Sequence, residues 1–198
     1  NKMHVLLTRQ LEDCSELIIR FKNLGHMVSH LPLLNIEKVE YDKKPIQDCK
    51  SIIFTSANAI KFLNTKEINK DIKCFCVGSA TEKKAKNVGF QNIISADGNV
   101  RNLIELILQN FKPADGNIIY VSGEIVSSDL DSQLINHGYS VKRLVNYKTN
   151  HNRNFDNRFV EKLKINIPQI VYIYSYNSAL SFLNFIKNEK AESLWMDT

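Results

Sequence analysis

Short apolar runs alternate with amphipathic stretches along most of the chain. Residues 3–8 form the first apolar run, and within residues 11–24 the side chains of Leu17, Phe21 and Leu24 recur at helical spacing. Similar runs predict strands over 3–8, 27–32, 51–55, 73–77, 92–94, 117–121, 140–146 and 169–174, and helices over 11–24, 57–63, 80–88, 100–111, 129–136, 155–164 and 177–187. This alternation favours an α/β fold with parallel sheets flanked by helices on both faces.

Two connectors interrupt the alternation. Residues 33–50 combine alternating apolar and polar positions with charge and a proline, which indicates an extended segment rather than a helix. Residues 147–154 are mostly polar. The two connectors suggest that the chain forms two α/β domains.

Two ten-residue segments are also similar to each other. The segment from Phe54 to Leu63 aligns without gaps on the segment from Tyr174 to Leu183, with three identical positions. Each contains a strand end, a hydroxyl-rich turn and an amphipathic helix. Because helices of similar pattern reach this identity by chance, the repeat adds only weak support for two related domains.

Composition and charge narrow the class of protein. Hydrophobic residues make up 43% and charged residues 24% of the 198 positions, which is ordinary for a folded protein and excludes disorder as the main state. Lysine and arginine outnumber aspartate and glutamate by 26 to 21, giving a net charge of +5. This charge favours an anionic partner, and on this ground nucleic acid and a polyanionic small molecule both fit.

The cysteines and histidines do not predict a metal site. Cys14, Cys49, Cys74 and Cys76 are scattered, as expected of reduced thiols in a cytosolic protein. The five histidines form no cluster with ligand spacing, so we expect no metal. The sequence also has neither a secretory signal pattern nor an apolar run of about 18 residues. We therefore expect a cytoplasmic protein that has no membrane partner.

Hydroxyl and glycine residues follow several of the predicted strands. In a parallel α/β sheet these turns share one edge, where backbone N–H groups at helix N-termini can bind anions. An alternative is that the hydroxyl groups only cap their helices. The turns are Thr8-Arg9, Thr55-Ser56, Gly78-Ser79-Ala80-Thr81, Ser122-Gly123 and Ser175.

Familiar catalytic and nucleotide-binding motifs are missing from the sequence. Gly78-Ser79-Ala80-Thr81 is not a GxGxxG loop, and no GxxxxGK[ST], GxSxG or HExxH pattern occurs. Tyr147 lies at the end of the predicted strand 140–146, where its phenol could donate a proton or could simply pack. Any chemistry must therefore proceed without a recognisable acid–base pair.

A set of short segments, in their order and spacing over the whole chain, resembles the uroporphyrinogen-III synthase family. No single segment is specific to that family. The segments are Val5-Leu-Leu-Thr-Arg9, Gly25 through Pro32, Ile53-Phe-Thr-Ser-Ala-Asn-Ala59, Val77-Gly-Ser-Ala-Thr81, Gly89, Val121-Ser-Gly123, Leu134 to Gly138, Val145-Asn-Tyr147 and Tyr174-Ser175.

The resemblance implies a fold and a reaction. Residues 1–34 and 149–198 would form a first, discontinuous α/β domain, and residues 35–148 a second, joined by a two-stranded linker. The enzyme would be a cyclising hydro-lyase that converts hydroxymethylbilane, a linear tetrapyrrole polycarboxylate, into uroporphyrinogen III with loss of water and inversion of the last pyrrole ring. The family works without a cofactor, and we expect a monomer.

The resemblance also implies roles for individual residues. Tyr147 matches the family's tyrosine and would assist departure of the hydroxyl group. Arg9 would pair with a substrate carboxylate or brace the cleft. The remaining substrate-binding candidates are strand-end and helix-start residues, namely Thr55, Ser56, Asn58, Ser79, Thr81, Gly123 and Ser175.

Three departures from the family pattern accompany the resemblance. Gln10 stands where proline is usual, and the segment after Gly123 lacks a basic residue that members often carry, which puts carboxylate binding by that loop in doubt. The chain also ends before a second Gly-x-x-Thr-Ala turn. We expect the natural protein to continue by about 20 to 40 residues, the usual span of one or two βα units.

Two other functions stay open at the level of sequence. A two-domain α/β ligand-binding or regulatory protein for a small polyanion would have the same cleft without catalysis. A nucleic-acid binder would use the net positive charge, but the lysines are spread over the predicted helices and no aromatic side chains are interleaved with them on a basic stripe. We therefore expect no nucleic-acid partner.

Overall fold

The computed structural model describes residues 1–192. In chain order these form β1 His4–Leu7, α1 Leu11–Asn23, β2 Met27–His30, β3 Leu34–Lys38, α2 Lys44–Gln47, β4 Ser51–Phe54, α3 Ala57–Lys61, β5 Lys73–Val77, α4 Ser79–Asn87, β6 Asn92–Ala96, α5 Val100–Asn110, a 3-10 turn at Pro113–Asp115, β7 Ile118–Gly123, α6 Leu130–Asn136, β8 Val141–His151, α7 Asn157–Ile165, β9 Ile170–Tyr172 and α8 Tyr176–Asn188.

The chain divides into two compact units. The first contains Asn1–Ile36 together with the chain from Asn150 onward, and the second contains Glu37–Thr149. The first unit is therefore discontinuous in sequence. Both boundaries fall inside strands, one within β3 and the other within β8.

The first unit is built on a three-stranded parallel sheet in the order β2-β1-β9. All four residues of the central strand β1 are buried. Alternate side chains enter two cores, as period-two geometry requires. Leu6 packs with Leu163 of α7 and Phe185 of α8, whereas Leu7 packs with Cys14 of α1.

The second unit is built on a six-stranded sheet in the order β3-β8-β7-β4-β5-β6. The four pairings from β8 through β6 are parallel. The fully buried strand β4 separates two cores: Phe54 packs on the side of Ile60 in α3, and Ile53 packs on the side of Leu103 in α5. Burial on both faces explains why residues 52–54 of β4 and 118–121 of β7 are continuous apolar runs in the sequence.

The predicted α/β class, with parallel sheets flanked by helices, is confirmed. Two local expectations need correction. Residues 33–50 are not extended throughout, because the short helix α2 begins at Lys44 and Pro45 occupies its first turn, where a missing N–H costs nothing. Residues 147–154 are not only a connector, because β8 continues through His151. This end of β8 is partly exposed and carries polar side chains, so its sequence lacks the apolar pattern that predicts a strand.

Residues 1–192 lack two features that would point to a membrane or a metal. Within this range no helix is both long and apolar enough to cross a membrane. Nor do His, Cys, Asp and Glu side chains of the described residues form a group of three or more that could hold a metal ion.

Candidate functional site

Four neighbouring strands of the second unit bring most of the candidate residues to one edge of the sheet. β8, β7, β4 and β5 are adjacent and parallel, so their carboxyl ends point the same way. Tyr147 lies on β8, Gly123 ends β7, Thr55 follows β4 and Ser79 follows β5 by one residue beyond Gly78. This edge of a parallel sheet is where α/β proteins commonly bind ligands.

Gly123 and Tyr147 are in very close contact. The register along β7 and β8 pairs Ser122 with Val145 but Gly123 with Tyr147, so a bulge places Asn146 between the two pairs. A Cβ added to Gly123 would lie 2.8 Å from Tyr147 Cε2 and 2.9 Å from Cζ. Glycine therefore leaves the space that the tyrosine ring occupies. The ring is also stacked on Phe62, with centroids 6.1 Å apart.

The bulge residue Asn146 is fully buried. Its Nδ2 donates a 2.7 Å hydrogen bond to the carbonyl oxygen of Ala59 in α3, and its backbone carbonyl accepts from Val39 N at 2.9 Å. Among the described residues, its Oδ1 has no hydrogen-bond partner. The amide thus ties β8 to α3 beside Tyr147. A buried acceptor without a partner is costly, which suggests that this position is constrained by the geometry around the tyrosine.

Arg143 holds the turn after β7. Its Nε donates to Ser122 Oγ at 2.8 Å, and its Nη2 donates to the carbonyl oxygens of Gly123 at 2.8 Å and Glu124 at 2.6 Å. Within residues 1–192 the guanidinium has no carboxylate partner in an ion pair. Although residues 124–129 lack a basic side chain, a positive charge therefore lies against this turn.

Thr55 faces a second tyrosine across the sheet edge. Its Oγ1 lies 3.3 Å from the hydroxyl oxygen of Tyr120, a residue of β7 that is 2% exposed. Burial raises the pKa of Tyr120, while the hydrogen bond with Thr55 and the charge of Arg143 partly oppose that rise. Tyr120 is therefore a neutral phenol at physiological pH and serves as a hydrogen-bonding partner for Thr55.

Helix α4 begins without a side-chain cap. Gly78 occupies the N-cap with φ +87°, a conformation that favours glycine. No side chain within residues 1–192 caps the first turn of this helix. The first N–H groups of α4 are consequently available to an anion. Ser79 is exposed at this terminus, but Thr81 is only 4% exposed.

Helix α3 begins with a side-chain cap. Ser56 Oγ accepts a 3.2 Å hydrogen bond from the backbone N–H of Asn58. Ser56 and Asn58 are both half-buried. The Ser56 hydroxyl group therefore acts as a helix cap, because it accepts a hydrogen bond from its own helix.

The first unit places its two candidate residues at one edge of its own sheet. β1 and β9 are adjacent and parallel, with Leu7 paired to Tyr172. Arg9 follows β1, and its Cζ lies 5.0 Å from the ring centroid of Tyr174 and its Nη2 lies 3.7 Å from Asp13 Oδ2. Ser175 caps α8 by accepting from Ser178 N at 3.1 Å. Arg9 is exposed, but its guanidinium already contacts Asp13 and Tyr174.

Sequence reasoning missed three residues around Tyr147. Asn146 was included in the strand 140–146, and its signal is a polar side chain on the same face as buried Leu144. Arg143 has no comparable signal, because alternating strands commonly carry exposed arginine. Phe62 was included in a helix and has no signal either, since its stacking on Tyr147 joins residues distant in sequence.

Comparisons with known proteins agree on one family. The family model described as uroporphyrinogen-III synthase HemD matches residues 15–197. The uroporphyrinogen-III synthetase structure from Helicobacter pylori is 19% identical over 92% of this chain and 78% of that chain, with a TM-score of 0.61. A mutant uroporphyrinogen III synthase from Thermus thermophilus is 14% identical over 96% and 79%, with a TM-score of 0.60. These structural likenesses support the fold. No curated protein sequence matches the chain.

Proposed function

The chain belongs to the uroporphyrinogen-III synthase family, and we propose that it converts hydroxymethylbilane into uroporphyrinogen III. The observation that carries this proposal is the family match over residues 15–197, which spans both compact units. The family favours an enzyme of tetrapyrrole biosynthesis over a polyanion-binding or regulatory protein without catalysis.

The proposed reaction is that of a cyclising hydro-lyase. The terminal hydroxymethyl group leaves as water, and the resulting azafulvene is attacked by the substituted carbon of the last pyrrole ring. The spiro intermediate then fragments and closes with that ring inverted. Closure without an enzyme gives the uninverted isomer, so the protein must mainly control the conformation of a flexible substrate. Orientation of this kind lowers a barrier by restricting motion before the reaction.

Tyr147 is the residue that we propose assists departure of the hydroxyl group. Its ring packs closely against Gly123, where a Cβ would not fit, and is stacked on Phe62. A phenol fixed in this way can donate a hydrogen bond to an oxygen atom that leaves as water. The bulge at Asn146 supports this role because it shifts the strand register so that Tyr147 is paired with Gly123.

Carboxylate binding is assigned in this proposal to the strand-end turns. The uncapped terminus of α4, with Gly78, Ser79 and the backbone at Thr81, supplies N–H donors. The neighbouring turns of the same edge contain Thr55, Ser56, Asn58 and Gly123. The hydroxyl groups of Thr55 and Ser56 already have partners, so backbone groups contribute more to carboxylate binding there. In the first unit, Arg9 and Ser175 have the corresponding role.

Several broader features also remain proposals. We propose that the two compact units are the two domains of the family, that β3 and β8 form the strands linking them, and that the reaction needs neither metal nor organic cofactor. A monomeric state and a cytoplasmic location stay predictions.

The proposed function can be tested by identifying the product isomer. Purified protein is mixed with freshly prepared hydroxymethylbilane, and the porphyrins obtained by oxidation are separated by chromatography. We expect the type III isomer in excess over the type I isomer that forms spontaneously. Type I alone, at the rate of the reaction without protein, would leave a binding or regulatory role.

The role of Tyr147 can be tested with Tyr147→Phe. Removal of the hydroxyl group keeps the stacking on Phe62, so we expect kcat to fall about tenfold or more while KM changes little, within the range of general acid–base effects. An unchanged kcat would reduce Tyr147 to a packing residue.

A further inference from the structure

Arg143 and Tyr147 lie on the same strand, β8, on either side of the bulge at Asn146. In the register of β7 and β8, Arg143 is paired with Tyr120 and Tyr147 is paired with Gly123. A step of three residues along β7 thus matches a step of four along β8, and the difference is the extra residue of the bulge. Arg143 and Tyr147 therefore approach the same end of β7, one from before the bulge and one from after it.

The guanidinium of Arg143 binds the end of β7 and the first residue of the turn that follows. Its Nη2 donates to the carbonyl oxygens of Gly123 at 2.8 Å and Glu124 at 2.6 Å, and its Nε donates to Ser122 Oγ at 2.8 Å. Hydrogen bonds from a charged donor are strong, and the planar guanidinium fixes their directions. Arg143 therefore sets the orientation of the two peptide units that follow Gly123 and Glu124.

The first of these peptide units also contacts Tyr147. Its carbonyl oxygen, on Gly123, accepts from Arg143, and its N–H, on Glu124, donates a 2.9 Å hydrogen bond to the backbone carbonyl oxygen of Tyr147. The C=O and N–H groups of a planar trans peptide point in opposite directions. This peptide unit therefore connects the guanidinium of Arg143 to the backbone of Tyr147 as one rigid plane.

The ring of Tyr147 depends on the same peptide unit. A Cβ added to Gly123 would lie 2.9 Å from Tyr147 Cζ and 3.2 Å from its hydroxyl oxygen. The end of the ring that carries the hydroxyl group thus packs against the backbone of Gly123. A rotation of the peptide unit after Gly123 would change this contact, so the place of the hydroxyl group depends on the residue that holds the turn.

A direct contact between Arg143 and a substrate carboxylate is the alternative role. Within residues 1–192 the guanidinium forms no ion pair with a carboxylate, so its charge is not neutralised there. However, two of its three nitrogen atoms already donate to the turn. This arrangement favours a role in holding the protein backbone. The two roles differ in kinetics, because loss of a substrate contact raises KM, whereas misplacement of a reacting group lowers kcat.

We propose that Arg143 is a positioning residue, which holds the turn after β7 and thereby fixes the place of the Tyr147 hydroxyl group. This role rests on the proposed function, because Tyr147 is there assigned to assist departure of the hydroxyl group of the substrate. Residues 124–129 have no basic side chain of their own. The charge that orders the turn therefore comes from the neighbouring strand β8.

The test introduces Arg143→Met into the wild type and into Tyr147→Phe. Methionine removes every donor of the guanidinium and keeps an unbranched side chain. With hydroxymethylbilane as substrate, we expect kcat of the wild type to fall about three- to tenfold with little change in KM. In Tyr147→Phe the same substitution should lower kcat by less than about twofold, because the hydroxyl group that Arg143 positions is already absent. A general loss of stability would instead lower kcat by the same factor in both backgrounds.

Two further variants serve as rescue and control. Lysine can donate to the carbonyl oxygens but lacks the planar fork, so Arg143→Lys should retain more of kcat than Arg143→Met does. Arg101 is exposed in the first turn of α5, and Arg101→Met removes the same charge from the same unit. This control should keep both kcat and KM. Equal losses of kcat in the two backgrounds, or a rise in KM without a fall in kcat, would overturn the positioning role.

Amide hydrogen exchange measured by NMR tests the same contacts without turnover. The N–H of Glu124 should exchange about tenfold faster in Arg143→Met than in the wild type or in Arg101→Met, because its peptide unit loses the bond to the guanidinium. The N–H of Val121, inside β7, should be unchanged. Equal exchange at Glu124 in all three proteins would overturn the role of Arg143. If the wild type makes no type III isomer, the proposed function fails, and faster exchange at Glu124 still supports Arg143 as the residue that orders this turn against Tyr147.

Discussion

At the scale of single residues, the contact between Gly123 and Tyr147 leads to a specific prediction. A methyl group at position 123 would meet the tyrosine ring at 2.8 Å, well inside van der Waals contact, so the ring or the strand must move. We expect Gly123→Ala to lower kcat by about tenfold to a hundredfold through misplacement of the phenol, and to reduce the free energy of unfolding by about 1–3 kcal/mol. Steady-state kinetics and urea denaturation measure the two effects.

Gly98→Ala provides the control for that variant. In the part of the chain that the structure describes, no atom lies within 4 Å of a Cβ added at Gly98. The control should therefore keep both kcat and stability within experimental error. If Gly123→Ala behaves in the same way, the tight contact does not determine the position of Tyr147.

A second prediction at this scale concerns His4, which is 5% exposed in β1. Nδ1 lies 2.8 Å from the carbonyl oxygen of Asn166, and a carbonyl only accepts, so this nitrogen carries the proton. Nε2 can then accept from Ser29 Oγ at 2.7 Å. Burial lowers the pKa of His4 from its ordinary value of 6.5, and the bond to Asn166 only partly opposes this effect.

The sign of the pH dependence follows from the lowered pKa. Below pH 6.5 the unfolded chain binds a proton that the folded chain resists, so stability is fully present above this pH and is lost as the pH falls toward the lower folded pKa. Urea denaturation at pH 7.5 and pH 5.5 should show this loss in the wild type. His4→Gln should show a smaller loss, and an equal loss in both proteins would contradict the assignment.

At the scale of elements, the helix starts distinguish capping from binding. Ser56 caps α3 through its hydroxyl group, whereas Gly78 leaves α4 uncapped. We expect Ser56→Ala to lower the free energy of unfolding by about 1 kcal/mol and Ser56→Gly by only a few tenths, because glycine exposes the N–H groups to water. Denaturant titration of the two variants measures this difference, and equal losses would argue against capping.

The element pattern of the chain was largely predictable, because burial on both faces gives strands such as β4 and β7 apolar runs, at residues 52–54 and 118–121. The exact positions at which the helices begin were not predictable. The ungapped repeat pairs Thr55 with Ser175, but the structure makes Ser56 and Ser175 the N-caps of α3 and α8, one position out of step. A cap depends on backbone dihedral angles, which similar side-chain patterns do not determine.

The candidate site was predictable in its chemistry more than in its geometry. Hydroxyl and glycine residues at strand ends follow directly from a parallel sheet, and those of the second unit do lie along one edge. The bulge at Asn146 and the approach of Tyr147 to Gly123 depend on pairing between strands about 24 residues apart, which no local pattern contains. The same limit applies to Arg143, whose partners lie on β7 and in the turn after it.

At the scale of the whole molecule, the two units differ in how their chain segments are joined. The second unit is continuous and has a buried core on each face of its sheet. The first unit needs two distant segments, because parallel pairing of Val5 with Ile170 builds its sheet. Its formation therefore requires closure of a long loop, an entropic cost that the second unit does not have.

This difference predicts that a fragment of residues 34–151, which includes all of β3 and β8, folds without the rest of the chain. We expect a cooperative thermal transition by circular dichroism, because both cores of the six-stranded sheet remain intact. Leu103→Ala, at a fully buried position, should destabilise the fragment by about 2–5 kcal/mol. A fragment that binds a hydrophobic dye and melts without cooperativity would mean that the second unit needs the first to fold.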